Sequence, residues 1–364
     1  MAVVIAGGVM VATNYNNLGN LVKVISLVRT QYLQPVSMGQ LIDGAIKGMV
    51  SSLNDPYSVY LDAKTFNQLS QQIKGSFGGL GILVGVKGQD LMVVRAYEGT
   101  PAAEAGIMSG DVISKIDDRD AKGIDLETAI SLMRGDVGSK VTLIIERKEA
   151  GGTVQLTREL VRREISVPTV ESKVLPGTAI GYIVVSQFTL HTAEEMQENL
   201  AKLQNEQVKG LILDLRDNPG GELLAAVNVA KNFVPQGPVV YIDYRFGKDQ
   251  EFASEGRVVQ LPLIVLINSY SASAAEILAG AVKDTGAGTL VGTKTFGKGI
   301  VQTVFPLSNG AGLKLTTARY LTPKRNDIHD KGIEPDVTVE NQENSAADIQ
   351  LDRAIEIMRQ KIAG

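Results

Sequence analysis

Three stretches of the chain combine residue types that could carry nucleophilic chemistry. In LPLIVLINSYSASAAEILAGAV, residues 261–282, a continuously apolar run meets Asn268, Ser269, Tyr270 and Ser271, and a helix rich in small residues then begins near Ser273. A serine at a strand-to-helix turn has an exposed hydroxyl with the positive end of a helix dipole beside it, which suits a developing oxyanion. Ala272, Ala274 and Ala275 leave room there for a substrate backbone. Serine is equally a favoured N-cap, so this stretch alone reads either way. In TFGKGIVQ, residues 295–302, a lysine stands between two glycines. If residues 298–304 are extended, Lys298 and Gln302 share one face, and Gln302 can hold the amine by a hydrogen bond. A lysine buried away from carboxylates gives up its charge, and a neutral amine can take the proton of a serine hydroxyl. An ordinary surface or phosphate-binding lysine is the plainer alternative. In DLRDNPGG, residues 214–221, a strand ends in Asn218, Pro219, Gly220 and Gly221. Such a turn exposes backbone N–H groups, as an oxyanion hole requires, although turns of this composition also simply turn.

The missing residue types narrow the chemistry further. The 364 residues include no Cys, which excludes a cysteine nucleophile, a thiolate metal site and a disulfide framework. The two histidines, His191 and His329, form no His-x-x-x-His zinc pair and lie outside the serine and lysine motifs, so both read as non-catalytic. No metal ion or organic cofactor is implied. Hydrophobic residues at 44%, charged residues at 21% and a net charge of −4 disfavour both wholesale disorder and a basic nucleic-acid binder.

At roughly 150 residues per domain, the length predicts two or three domains. Residues 1–13, MAVVIAGGVMVAT, are an apolar tract too short to span a bilayer and without the basic start of a complete secretory signal. They read as the remnant of a signal or membrane anchor, or else as a buried N-terminal strand or helix. Residues 14–73 form a helical region, with apolar positions at three and four residue spacings that include Leu18, Leu21, Val22, Ile25 and Val28. A turn at Asn54-Asp55-Pro56-Tyr57 precedes a last helix over 64–73. Residues 74–150 change to strands, FGGLGILVGV, DLMVVRAYEG, VISKIDD and KVTLIIERK, with helices over 100–106 and 125–134. Thr100, Pro101 and Gly106 supply the cap, first position and stop of the first helix. A connecting strand over 154–163 opens residues 151–340, where apolar strands alternate with helical tracts and argue an α/β layer domain. Residues 341–364 read as a terminal amphipathic helix.

Taken together and in order, NPGG, SASAAEI, TFGKGIVQ, LTTARYLTP and GIEPD resemble the carboxyl-terminal processing proteases, also called tail-specific proteases. The resemblance covers nearly the whole chain, including NDPYSVYL and the final DIQLDRAIEIM. It implies a multidomain α+β protein in which a β-rich PDZ module accompanies an α/β serine-peptidase core, with helical segments at both ends. It assigns Ser273 as nucleophile and Lys298, 25 residues on, as base. Gln302 orients the lysine, and the N–H groups of Ala274 and Gly220, or else Gly221, form the oxyanion hole. Ala275 stands where the family usually has a further serine. Gly79, Leu80, Gly81 and Ile82 resemble the PDZ carboxylate-binding loop, with Leu126, Ile130 and Met133 facing it across a pocket for an apolar last side chain. The same apolar residues could instead be module core. Arg134 matches a PDZ arginine with a regulatory contact in some relatives.

The function this implies is a serine endopeptidase of the bacterial cell envelope or periplasm, anchored through its N-terminus if the apolar tract is retained. It would recognise proteins or peptides with apolar C-termini and cleave them with a Ser/Lys dyad. Partners implied are those substrates, an activating or adaptor protein and a second copy through the terminal helices, with no nucleic acid. The alternatives are a peptide-binding quality-control scaffold with a resting or degenerate core, and a structural dimer built on the terminal helices.

Overall fold

The computed structural model describes residues 2–149, 151–256, 259–341 and 347–363. They group into two compact units, one of residues up to Phe66 with Gln302–Thr317, the other of Asn67–Val301 with Ala318–Gly364. In the first unit the helix Ala2–Gln31 takes in the apolar tract except Met1. The side chains of residues 2–16 lie outside those described, and no helix among the described residues is long and apolar enough to cross a membrane. The helix Met38–Ser51 begins at Ser37, whose Oγ accepts the Gln40 N–H while Gln40 Oε1 accepts the Ser37 N–H. This reciprocal cap satisfies two donors that helical geometry leaves open. The expected turn follows, with Asp55 accepting from the Tyr57 N–H and the Ser58 hydroxyl. The strand Val59–Leu61 then pairs antiparallel with residues 312–314 over a small core of Val50, Tyr60 and Ala311.

In the second unit the PDZ module is a sheet in the order Ile82–Lys87, Asp90–Ala96, Val112–Ile116, Lys140–Glu149, Gly152–Val161, with Arg119–Asp120 paired to the third strand. FGGLGILVGV, expected as one strand, divides at Leu80-Gly81. Ser76–Gly79 leaves the sheet to pair with Arg163–Ser166, and Ile82–Lys87 forms a sheet edge. The strand expected as a connector is likewise corrected. Residues 152–161 pair with residues 140–149 along their whole length, so the module's sheet extends past residue 150. The helix Leu126–Met133 is N-capped by Asp125, whose carboxylate accepts the Thr128 N–H. At its other end the buried Arg162 guanidinium donates to the carbonyls of Leu132 and Met133. A cation there complements the negative end of the helix dipole.

The α/β layer expected over residues 151–340 is a six-stranded sheet in the order Val170–Val174, Ile180–Val185, Gly210–Asp214, Leu263–Ile267, Thr289–Gly292, Val337–Thr338. The first pairing is antiparallel and the rest are parallel. The two central strands are buried at every residue, as parallel strands covered on both faces must be. Alternate residues serve opposite faces. Leu211, Leu213, Val265 and Ile267 join a core with the helices Thr192–Asn205, Leu223–Ala230 and Ala274–Thr285, while Ile212, Ile264 and Leu266 pack with Ala354 and Met358 of the helix Ile349–Ala363. PVVYIDY is a strand but not of this sheet. Gly237–Tyr244 pairs instead with Gln250–Ser254 and with residues 318–321.

Candidate active site

NPGG, the serine turn and the lysine loop each leave the carboxyl end of one of three neighbouring parallel strands, Gly210–Asp214, Leu263–Ile267 and Thr289–Gly292. Open α/β sheets bind their ligands at that edge, because the loops converge there. Parallel pairing thus gathers motifs spread over some 80 residues.

Ser273 is the N-cap of the helix Ala274–Thr285 and has φ 54° and ψ −115°. A non-glycine residue holds such a conformation only where its surroundings over-determine it. Here the Ser273 N–H donates to Glu276 Oε2 at 2.8 Å, and its carbonyl accepts from the Tyr320 hydroxyl at 3.0 Å and the Glu276 N–H at 2.8 Å. Ser271 has another task. Fully buried, its Oγ accepts the Asn268 N–H and donates to the Leu215 carbonyl, pinning the loop. The NPGG turn is tied to the same loop, with Asn268 paired to Asp217 and the Ala272 N–H donating to the Asn218 carbonyl.

Gly220 has φ +95°, and a Cβ there would lie 2.7 Å from Ala272 O and 2.8 Å from both Ala274 N and Ser273 Cβ. Glycine is required by conformation and by space. The Ala274 N–H, at the first helical position, is one of those that helical geometry leaves without an intrahelical acceptor. The Gly220 N–H, by contrast, donates to Asn218 Oδ1 at 2.8 Å, so the expected second oxyanion donor is occupied within its own turn. Asparagine commonly bonds the backbone two residues on in this way.

Lys298 is half-buried and stands on the loop, since the strand Ile300–Pro306 starts two residues later. The extended geometry expected from residue 298 therefore applies only from residue 300. Its N–H donates to Glu276 Oε2 at 2.8 Å, and Gly297 N–H and Thr295 Oγ1 donate to Glu276 Oε1 at 2.7 and 2.6 Å. Glu276 is wholly buried. Burial first, then the Glu276 carboxylate, pushes the neighbouring Tyr320 hydroxyl well above the ordinary phenol range. Gln302 belongs to the first unit, where its Nε2 is buried with no partner among the described residues. His329, expected to be remote, packs its backbone on the lysine loop, because a Cβ at Gly299 would lie 2.6 Å from His329 N. Sequence distance is a poor guide where a loop folds back. Asp284 accepts from the Thr322 hydroxyl and the Lys324 N–H, tying the end of the helix to the turn beyond residue 321.

In the PDZ module a cleft of about 230 Å³ is lined by Gly79, Leu80, Gly81, Ile82, Ile130, Met133 and Arg134. Leu126 is absent from its wall and is 39% exposed, because the first turn of the helix points it to solvent. Phe77, Ile165 and Val167 line the cleft in addition, brought there by the pairing of residues 76–79 with 163–166. No local sequence signal announces that long-range pairing. Arg134 sets its guanidinium 4.1 Å from the centre of the Phe77 ring. Nor does the sequence mark Glu276 and Tyr320 as part of the site, although Ser273-x-x-Glu276 is a capping-box spacing.

Residues 179–339 match the description Peptidase family S41, residues 92–147 PDZ domain, and residues 6–65 Activating protease CtpB N-terminal domain. The chain is 38% identical over 340 residues to the carboxy-terminal processing protease CtpB of Bacillus subtilis, covering 92% of this chain and 70% of that protein. It is 41% identical over 333 residues to a carboxy-terminal-processing protease of Bartonella bacilliformis, covering 90% of this chain and 76% of that one. Among solved structures, the photosystem II D1 C-terminal processing protease matches with a TM-score of 0.53 and 32% identity, over 90% of this chain and 88% of that chain. With these relatives and this arrangement of PDZ module and peptidase sheet, the chain belongs to the carboxy-terminal processing proteases, serine peptidases of family S41.

Proposed function

We propose that the chain captures an exposed, apolar C-terminal tail in its PDZ groove and cleaves the polypeptide with a Ser273/Lys298 dyad. The observation that carries this reading is the strained Ser273 turn, set against Gly220 and the Ala274 N–H and joined through Glu276 to the lysine loop. Ser273 Oγ attacks the scissile carbonyl while the Lys298 amine takes its proton, and that proton passes to the leaving amine as the C–N bond breaks. Water then attacks the acyl ester, Lys298 takes its proton, and the serine hydroxyl re-forms as the ester bond breaks. The Ala274 N–H receives the oxyanion, with Gly220 as second donor once the Asn218 amide releases it. Gln302 is the residue this reading assigns to holding the amine.

Tail capture by strand addition is supported by the edge strand Ile82–Lys87 and by the apolar cleft of Leu80, Ile130 and Met133 beside it. Arg134, stacked over Phe77 at the cleft wall, is the candidate reporter of occupancy. The reading places the protein outside the cytoplasm in the cell envelope, dimeric through its terminal helices and answering to an activating or adaptor protein. A resting enzyme or peptide-binding scaffold is the second reading, favoured by the hydrogen bond that occupies the Gly220 N–H.

Cleavage of an unfolded reporter with an apolar C-terminal tail, under chelator, tests the proposal. Ser273→Ala and Lys298→Ala are each expected to lower the rate by on the order of 10²–10⁴-fold. Cleavage that survives Ser273→Ala, or that the chelator abolishes, would refute the dyad. Tail binding without cleavage by the wild type would favour the resting or scaffold reading.

A further inference from the structure

We propose that Glu276 is the positioning residue of the catalytic pair, a buried carboxylate that sets the lysine loop in register with the nucleophile turn. The inference rests on the Ser273/Lys298 reading above. One Glu276 oxygen accepts from Ser273 N–H and Lys298 N–H, each at 2.8 Å, and so takes one donor from each member of the pair. The other accepts from Thr295 Oγ1 at 2.6 Å and Gly297 N–H at 2.7 Å. The two segments are thereby joined through a single planar group. Flexible side chains would transmit position loosely, whereas this link uses the backbones of the two reacting residues.

Glu276 lies at the third position of the helix that Ser273 caps, so a simple helix cap accounts for the Ser273 bond. A cap does not account for the three donors from residues 295–298. Those donors come from a different strand-to-loop segment, 19 to 22 residues further along the chain. Tyr320 completes the clamp by donating to the Ser273 carbonyl, so both backbone polar groups of the strained residue are held. The four bonds from Ser273, Thr295, Gly297 and Lys298 to the two oxygens need acceptors, which a carboxylate provides and an amide provides on only one side.

The test is Glu276→Gln, which keeps the shape and turns one acceptor into a donor facing two donors. With reporter cleavage as the readout, kcat is expected to fall by on the order of 10²-fold, as for a misplacement of about 1 Å. KM and tail affinity should hold, since the tail groove is a separate site. Hydrogen exchange at Gly297 and Lys298 should accelerate. Thr295→Val removes one donor to Glu276 and the acceptor of the Ile333 N–H without touching the pair, and is expected to lower kcat by about tenfold, while Thr295→Ser, which restores both bonds, recovers most of that loss. Should Glu276→Gln fail to fold, the Thr295 variants decide the matter. A folded Glu276→Gln enzyme with wild-type kcat would overturn the inference and leave the dyad standing, as would Thr295→Val and Thr295→Ser behaving alike. Reporter cleavage that survives Ser273→Ala would overturn the dyad, and the inference with it.

Discussion

At Ser273 the backbone holds φ 54°, a conformation that costs of order 1–3 kcal/mol in a non-glycine residue. The cost is met by hydrogen bonds to both its N–H and its carbonyl, and the result is a hydroxyl on a sharp turn rather than inside a helix cap. Gly220 makes the approach of the neighbouring turn feasible. Gly220→Ala would force a methyl group to within 2.8 Å of Ser273 Cβ and of Ala274 N. The expected outcome is a loss of on the order of 10²-fold in kcat, the scale of a missing oxyanion donor, with tail binding retained. Parallel measurement of kcat and tail affinity checks this, and near-wild-type turnover would show that the turn can relax. The Ser273 turn and the Lys298 loop are legible in the sequence as candidates, because small residues and glycines surround them locally. Glu276 carries no local signal of its role, because its donors arrive from a segment that only folding brings near.

Between residue and molecule, the helix Leu126–Met133 carries Ile130 and Met133 into the wall of the PDZ cleft. Its position depends on Arg162, which donates to the carbonyls of Leu132, Met133 and Lys140 and to Ser139 Oγ. Arg162→Ala would strip these buried acceptors of their donor and remove a cation from the helix C-terminus. The module should lose about 2–3 kcal/mol of stability and bind an apolar tail more weakly, since Ile130 and Met133 are carried on that helix. Denaturant unfolding and tail titration of the full chain would read both effects, and unchanged affinity would free the groove from this helix anchor. The sequence pattern revealed the helix and its Asp125 cap. It did not reveal Arg162 as the anchor, because an arginine at the end of a strand looks like any surface charge.

Across the whole molecule, acid should weaken the second unit through two paired carboxylates. Burial alone would raise Asp348 and Asp111, but hydrogen bonds from Arg216 and Arg147 outweigh it and hold both below the ordinary carboxylate range. Burial likewise works against the Arg216 charge, and Asp348 and Asp214 more than offset it. A lowered carboxylate contributes stability that is complete above its unfolded value, near 3.9, and is lost as pH falls through its lower folded value. Urea midpoints should therefore drop between pH 6 and pH 3, and Asp348→Asn should cost about 1 kcal/mol at neutral pH while shrinking that drop. An equal drop in the variant would mean that other groups carry the acid response. The sequence by itself determined the order of textures and, through its motifs taken in order, the family, because apolar runs, caps and glycine-flanked turns are local and travel with the chain. Only the tertiary structure decided that the module's sheet runs past residue 150, that Leu126 leaves the groove and Ile165 enters it, that the Gly220 N–H is occupied, and that Glu276 joins the Ser273 turn to the lysine loop. Each of these depends on pairing between residues far apart in the chain, which burial and hydrogen-bond satisfaction settle together and which no single stretch of sequence specifies.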